Sequence, residues 1–108
     1  MGAEKRYENQ IKDFLRSEGA YFVKYFANRN TRSGIPDILA CINGYFVGVE
    51  VKAEHGSFTP LQEYNLIMIR EAGGFGFVLY PSGFEQFKQF VKDLKKDTFN
   101  RELPIIMK

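Results

Sequence analysis

Asp37, Glu50 and Lys52 are the residues of this chain whose types and spacing could do chemistry together. Between the two carboxylates lies Asn43-Gly44, flanked by β-favouring residues, and Asn-Gly in that setting is the strongest short signal for a two-residue type I′ hairpin. With that pair as the turn, Ile42 faces Tyr45, Ala40 faces Val47, Ile38 faces Val49, and Asp37 faces Glu50. Alternation puts Ile38, Ala40, Ile42, Tyr45, Val47, Val49 and Val51 on one apolar face, and Asp37, Leu39, Cys41, Phe46, Gly48, Glu50 and Lys52 on the other. Opposed Cβ atoms lie about 4.5–5.5 Å apart, where like charges destabilise a sheet. A divalent cation between the carboxylates would relieve this. Mg²⁺ prefers oxygen ligands and is commonly held by one or two carboxylates, with water and substrate phosphate completing its shell. Lys52, two residues beyond Glu50, points toward the same place. Taken singly, an aspartate ahead of a strand is an ordinary turn residue, and Glu-x-Lys at a strand end is often solvated. The register that gathers all three on one face favours a site, and a one-residue slip would undo it.

Several elements must hold that hairpin. Residues 4–18 place Tyr7, Ile11, Phe14 and Leu15 on one stripe at helical spacing, with Gly19 as the stop. "AYFVKYF", residues 20–26, reads as a strand, and "ANRNTRSG" as a polar loop carrying Arg29 and Arg32. After the hairpin, Thr59 as N-cap, Pro60 at the first helical position and Gln62 three residues after the cap start a helix that runs to about Ala72. "FGFVLY", residues 75–80, is a short apolar strand. A last helix follows, with Phe84, Phe87, Val91 and Leu94 on its inner stripe and Ser82/Glu85 as a possible capping box. The tail "TFNRELPIIMK" is ambiguous. The order α-β-β-β-α-β-α, with a hairpin followed by a crossover helix, gives an α/β fold with a mixed sheet.

Composition bounds these readings. A chain of 108 residues is expected to form a single domain, residues 1–108, and 44% hydrophobic residues with 16% aromatics describe a globular rather than a disordered protein. The lone cysteine, Cys41, leaves no intramolecular disulfide. "MGAEKRYENQ" is neither a signal peptide nor a myristoylation pattern, because Arg6 stands where the latter needs Ser or Thr, and no apolar run reaches membrane-spanning length. A cytoplasmic setting without a membrane partner is expected. A net charge of +2 makes no case for nucleic acid on its own, so the placement of charges must carry it.

Pro36-Asp37, then Glu50-Val51-Lys52 after a hairpin, within an αβββαβ order, resemble the PD-(D/E)xK nuclease superfamily. The "GIPDI" lead-in and the "TPLQ" helix start are most similar to stand-alone VRR-NUC nucleases of viral and bacterial type, over roughly Tyr7 to Tyr80. The resemblance implies a restriction-endonuclease-like core with a mixed sheet flanked by helices. It implies Mg²⁺ or Mn²⁺ held by Asp37, Glu50 and the Val51 carbonyl, and Lys52 at the nucleophilic water and scissile phosphate. It also implies Glu8 as an acidic metal ligand supplied by the first helix, and Gln62 near DNA, although Gln62 serves equally well as the capping-box residue of Thr59. Where many superfamily members carry a tyrosine four residues after that glutamine, this chain has Leu66. The implied activity is phosphodiester hydrolysis by a structure-specific DNA endonuclease, with four-way (Holliday) junctions as leading substrate and flaps, nicked or plain duplex as competitors. The other class left open is a non-catalytic DNA-binding module on the same fold.

Arg29 and Arg32, in the loop that delivers the chain to Asp37, are the DNA-binding candidates. Lys88, Lys92 and Lys95/Lys96 recur along one helix face, a pattern that more often is solvated than bound to phosphate. His55 is expected at the surface and Cys41 packed within the hairpin as a structural thiol. A two-fold homodimer would match the symmetry of a junction. The apolar tail Leu103 to Met107 either buries itself in a partner or folds back as an edge strand.

Overall fold

The computed structural model describes residues 2–99 and 102–108. Its elements in chain order are α1 (Ala3–Ser17), β1 (Tyr21–Lys24), β2 (Ile38–Ile42), β3 (Tyr45–Val51), α2 (Pro60–Glu71), β4 (Phe75–Leu79), a 3₁₀ turn (Pro81–Gly83), α3 (Phe84–Lys95) and β5 (Ile106–Met107). The fold is α/β: one mixed five-stranded sheet in the order β1-β2-β3-β4-β5, with helices packed against it. β1, β2 and β3 run antiparallel in turn, while β4 and β5 join parallel to their neighbours.

Asn43 and Gly44 both adopt positive φ, 51° and 84°, as a type I′ turn requires. The hairpin register therefore runs Ile42↔Tyr45, Cys41↔Phe46, Ala40↔Val47, Leu39↔Gly48 and Ile38↔Val49. Its apolar face, Ile38, Ala40, Ile42, Val47, Val49 and Val51, is buried against Tyr7, Ile11 and Leu15 of α1 and Phe87, Phe90, Val91 and Leu94 of α3. The turn is tied down as well, because the Asn43 amide donates to the Leu94 carbonyl at the end of α3 (2.9 Å).

On the opposite side of the sheet α2 lies over β3 and β4, and its start is fixed by a complete capping box: Gln62 N–H donates to Thr59 Oγ1 and Thr59 N–H to Gln62 Oε1. This helix lies close because Gly48 and Gly76 are paired neighbours on β3 and β4. A Cβ at Gly76 would stand 2.8 Å from the Leu66 carbonyl oxygen, and one at Gly48 would meet the Ile69 side chain at 2.7 Å. The paired glycines thus form the bed in which α2 rests.

Three expectations are corrected, and the tail takes one of the two placements left open for it. The first strand ends at Lys24 rather than residue 26, because the partner strand leaves the sheet at Asp37; Tyr25 makes a last bond to the Asp37 carbonyl (2.8 Å), and Phe26 is 73% exposed. Ser82 and Glu85 form no capping box: Gly83 is the N-cap of α3, and Ser82 N–H donates to Glu54 instead. Gly83 is needed there since a Cβ would overlap the Met107 carbonyl. Cys41 is exposed, not packed, because α2 lies over β3 and β4 and leaves the Cys41 end of β2 uncovered among the described residues. The tail, of which residues 100–101 lie outside the described residues, folds back: Ile106 and Met107 pair with Val78 and Leu79, and Met107 is buried. Arg70 secures it, donating to the carbonyls of Gly76, Leu103 and Pro104.

Replacing Gly76 with alanine is expected to destabilise the fold by about 1–3 kcal/mol, because backbone rather than a mobile side chain opposes the new methyl. Gly48→Ala, opposed by the tip of Ile69, should cost less. Urea denaturation of both variants checks the order.

Candidate active site

The ladder between β2 and β3 ends where Asp37 comes opposite Glu50 and Pro36 opposite Val51, continuing the register one and two residues outward. Proline has no N–H to give. Val51 N–H donates instead to the Asp37 carboxylate, at 2.8 Å from Oδ2, so Asp37 is pinned over the end of β3. In a strand, the N–H and C=O of one residue point to the same edge, which directs the Val51 carbonyl toward that side too.

Glu50 is 3% exposed, within hydrogen-bonding reach of Asp37, and 3.3 Å from the Lys52 ammonium. Burial, reinforced by the charge of Asp37 and only partly offset by Lys52, pushes its carboxyl up to about 8. Burial first, and the like charge of Asp37 at short range second, therefore favour the protonated form of Glu50. Asp37, Glu50 and Lys52 are brought together as expected. Lys52 is held at its backbone as well, donating to the Leu79 carbonyl (3.1 Å).

Glu8 is also delivered to this end of the sheet, buried beside Tyr7 on α1, but its carboxylate is committed to lysines. Oε1 accepts from Lys24 (2.7 Å), and Oε2 lies 2.9 Å from Lys12 and 3.1 Å from Lys5. Burial raises its pKa, yet these ammonium groups outweigh burial and hold it near 2. Lys24 continues to Asp37 Oδ1 (3.3 Å), linking α1 to the hairpin, and its own pKa is raised by both carboxylates against the effect of burial. Lys24 escaped the sequence reading. A signal was present: Lys24 lies two residues from Phe22, so strand alternation turns a charge to the covered side of β1.

The loop between β1 and β2 is ordered by its own polar groups. Asn28 Oδ1 accepts from Asn30 N–H, Thr31 Oγ1 from Asn28 N–H, and the Tyr25 hydroxyl donates to the Arg32 carbonyl. Arg29 and Arg32 project from it exposed. Gln62 spends its side-chain oxygen on the helix cap, and His55 is exposed.

Among the described residues, no three His, Cys, Asp or Glu side chains group as a metal cage. The donor set that is present, two facing carboxylates and a main-chain carbonyl, fits Mg²⁺ or Mn²⁺, which need few protein ligands and keep water or phosphate in the remaining positions. The chain matches no family model, and neither curated proteins nor solved structures show a significant likeness to it.

The folded protein binds the Glu50 proton more tightly than the unfolded chain, so Glu50 withdraws stability as pH rises from about 4.5 through about 8. In chelator-treated buffer, the melting temperature of the wild type should fall across that window relative to Glu50→Gln, which carries no titrating group there. Parallel curves for the two proteins would contradict the assignment.

Proposed function

We propose that the chain is a metal-dependent endodeoxyribonuclease of the PD-(D/E)xK kind, built like a stand-alone VRR-NUC domain. The observation that carries this reading is the pairing of Asp37 with Glu50 at the end of the hairpin, with Lys52 3.3 Å from Glu50. A buried carboxylate facing a half-buried one destabilises a sheet end, and a cation held between them would relieve it. Asp37, Glu50 and the Val51 carbonyl would hold it. When bound, Mg²⁺ or Mn²⁺ supplies Lewis acidity to a phosphoryl oxygen and lowers the pKa of water. Lys52 places its ammonium where negative charge grows on the phosphate as water adds to phosphorus and the P–O bond to the leaving sugar breaks. Its bond to Glu50 aims it, and the backbone bond to Leu79 fixes the base of its side chain. Asp37→Ala, Glu50→Ala and Lys52→Ala should each lower cleavage by on the order of 10²–10³ while leaving the far-ultraviolet spectrum unchanged. Near-native turnover by any of them would remove it from the site. A non-catalytic DNA-binding module remains the alternative, and the intact set of Asp37, Glu50 and Lys52 favours turnover.

Branched DNA, four-way junctions first, is the substrate we favour, by resemblance; labelled junctions, flaps, nicked and linear duplexes assayed with Mg²⁺ and Mn²⁺ rank the candidates. Arg29 and Arg32 are assigned to the phosphate backbone because they are exposed on the ordered loop leading into Asp37. Replacing either with alanine should flatten the dependence of log affinity on log salt by about one unit. An unchanged slope for both would move the DNA elsewhere.

Junction resolution calls for two nicks, and we assign them to a homodimer. The tail gives it no support, since β5 pairs within its own sheet. The α2-side face of β1, β2 and β3 does: Tyr21 (74% exposed), Val23, Leu39, Cys41 and Phe46 are contiguous with Met68 at the margin of α2. An apolar patch of that continuity is characteristic of an interaction surface. Light scattering should show a dimer for the wild type and a monomer for Phe46→Lys, and a monomeric wild type at micromolar concentration would refute it.

A further inference from the structure

Lys24 occupies a position that no catalytic role in the hairpin accounts for. Its ammonium lies 2.7 Å from Glu8 Oε1 and 3.3 Å from Asp37 Oδ1, so one positive charge sits between a helix carboxylate and a hairpin carboxylate. Asp37 is divided accordingly, giving Oδ1 to Lys24 and Oδ2 to Val51 N–H. Glu8 has no oxygen to spare, since Oε2 is held by Lys5 and Lys12. The Lys24 side chain is 18% accessible and Glu8 6%, so the contact is enclosed rather than a surface pair. Two carboxylates from different elements flanking one charge is the arrangement that would otherwise hold a second divalent ion, at Oδ1 of Asp37.

We propose that Lys24 stands in for that second cation. The site takes one divalent ion, between Asp37 and Glu50, and Lys24, anchored by Glu8, supplies the second positive charge from the protein itself. Glu8 is thereby a positioning residue for Lys24 and not a metal ligand. The ammonium also limits how tightly Asp37 binds its ion, because a like charge a few ångström away opposes binding by roughly tenfold at a partly accessible site. Lys5, Lys12 and Lys24 together exceed the charge of Glu8, leaving this flank of the site positive toward a phosphate backbone. The inference rests on the nuclease reading, and the experiment separates the two.

Mn²⁺ bound per chain is counted by electron paramagnetic resonance of the free ion, at fixed pH, for the wild type, Glu8→Gln, Lys24→Met and Lys24→Arg. One ion per chain is expected in the wild type and in Glu8→Gln. Lys24→Met should bind its ion about tenfold more tightly yet cleave DNA more slowly, a combination that simple loss of structure does not produce; Lys24→Arg should keep wild-type affinity. Two ions in the wild type, with one lost in Glu8→Gln, would overturn the inference and leave the nuclease standing. So would unchanged or weaker binding in Lys24→Met. A wild type that binds no Mn²⁺ at millimolar concentration would remove the nuclease reading itself, and the inference with it.

Discussion

Two carboxylates held against one another at the end of a hairpin are the constraint on which the rest of the structure depends. Asp37 and Glu50 are brought opposite by a register that the Asn43-Gly44 turn sets and that the buried faces of β2 and β3 cannot slip without inverting. The protein does not relieve this repulsion by separating them. It pins Asp37 to the Val51 N–H, buries Glu50, and places Lys24 and Lys52 on either side. Burying Glu50 beside Asp37 costs stability at one end of the sheet, and the core of α1, α3 and the hairpin offsets it.

The remaining elements keep that end of the sheet in place. α3 holds the hairpin turn through Asn43, α2 lies on the Gly48–Gly76 pair, and Arg70 ties the returning tail to β4. α1 brings Glu8, and through it Lys24, to the Asp37 side. Charges from α1, β1 and the hairpin thus meet at one sheet end while the apolar stripes of the same elements meet behind it.

What could be read in advance was what depends on near neighbours or on a period of two. The Asn43-Gly44 turn, the hairpin register, the Thr59–Gln62 capping box and the α1 stripe are local, and each is found where the residues place it. What could not be read depends on chain distant in sequence. Gly83 replaces Ser82 as a cap because β5 passes over it, and Cys41 is exposed because α2 lies over β3 and β4 rather than over the outer half of the hairpin. Within the site, Asp37, Glu50 and Lys52 follow from register alone. Lys24 was hidden: its partners lie 16 residues back and 13 ahead, and only the packing of α1 beside β1 joins them.

The central claim, that the Asp37–Glu50 pair is a cation site, is tested most directly by crystals grown or soaked with Mn²⁺ and an anomalous difference map. A peak is expected between the two carboxylates and on the side of the Val51 carbonyl. A map with no peak there, or with its only peak on surface groups away from the hairpin end, would contradict it.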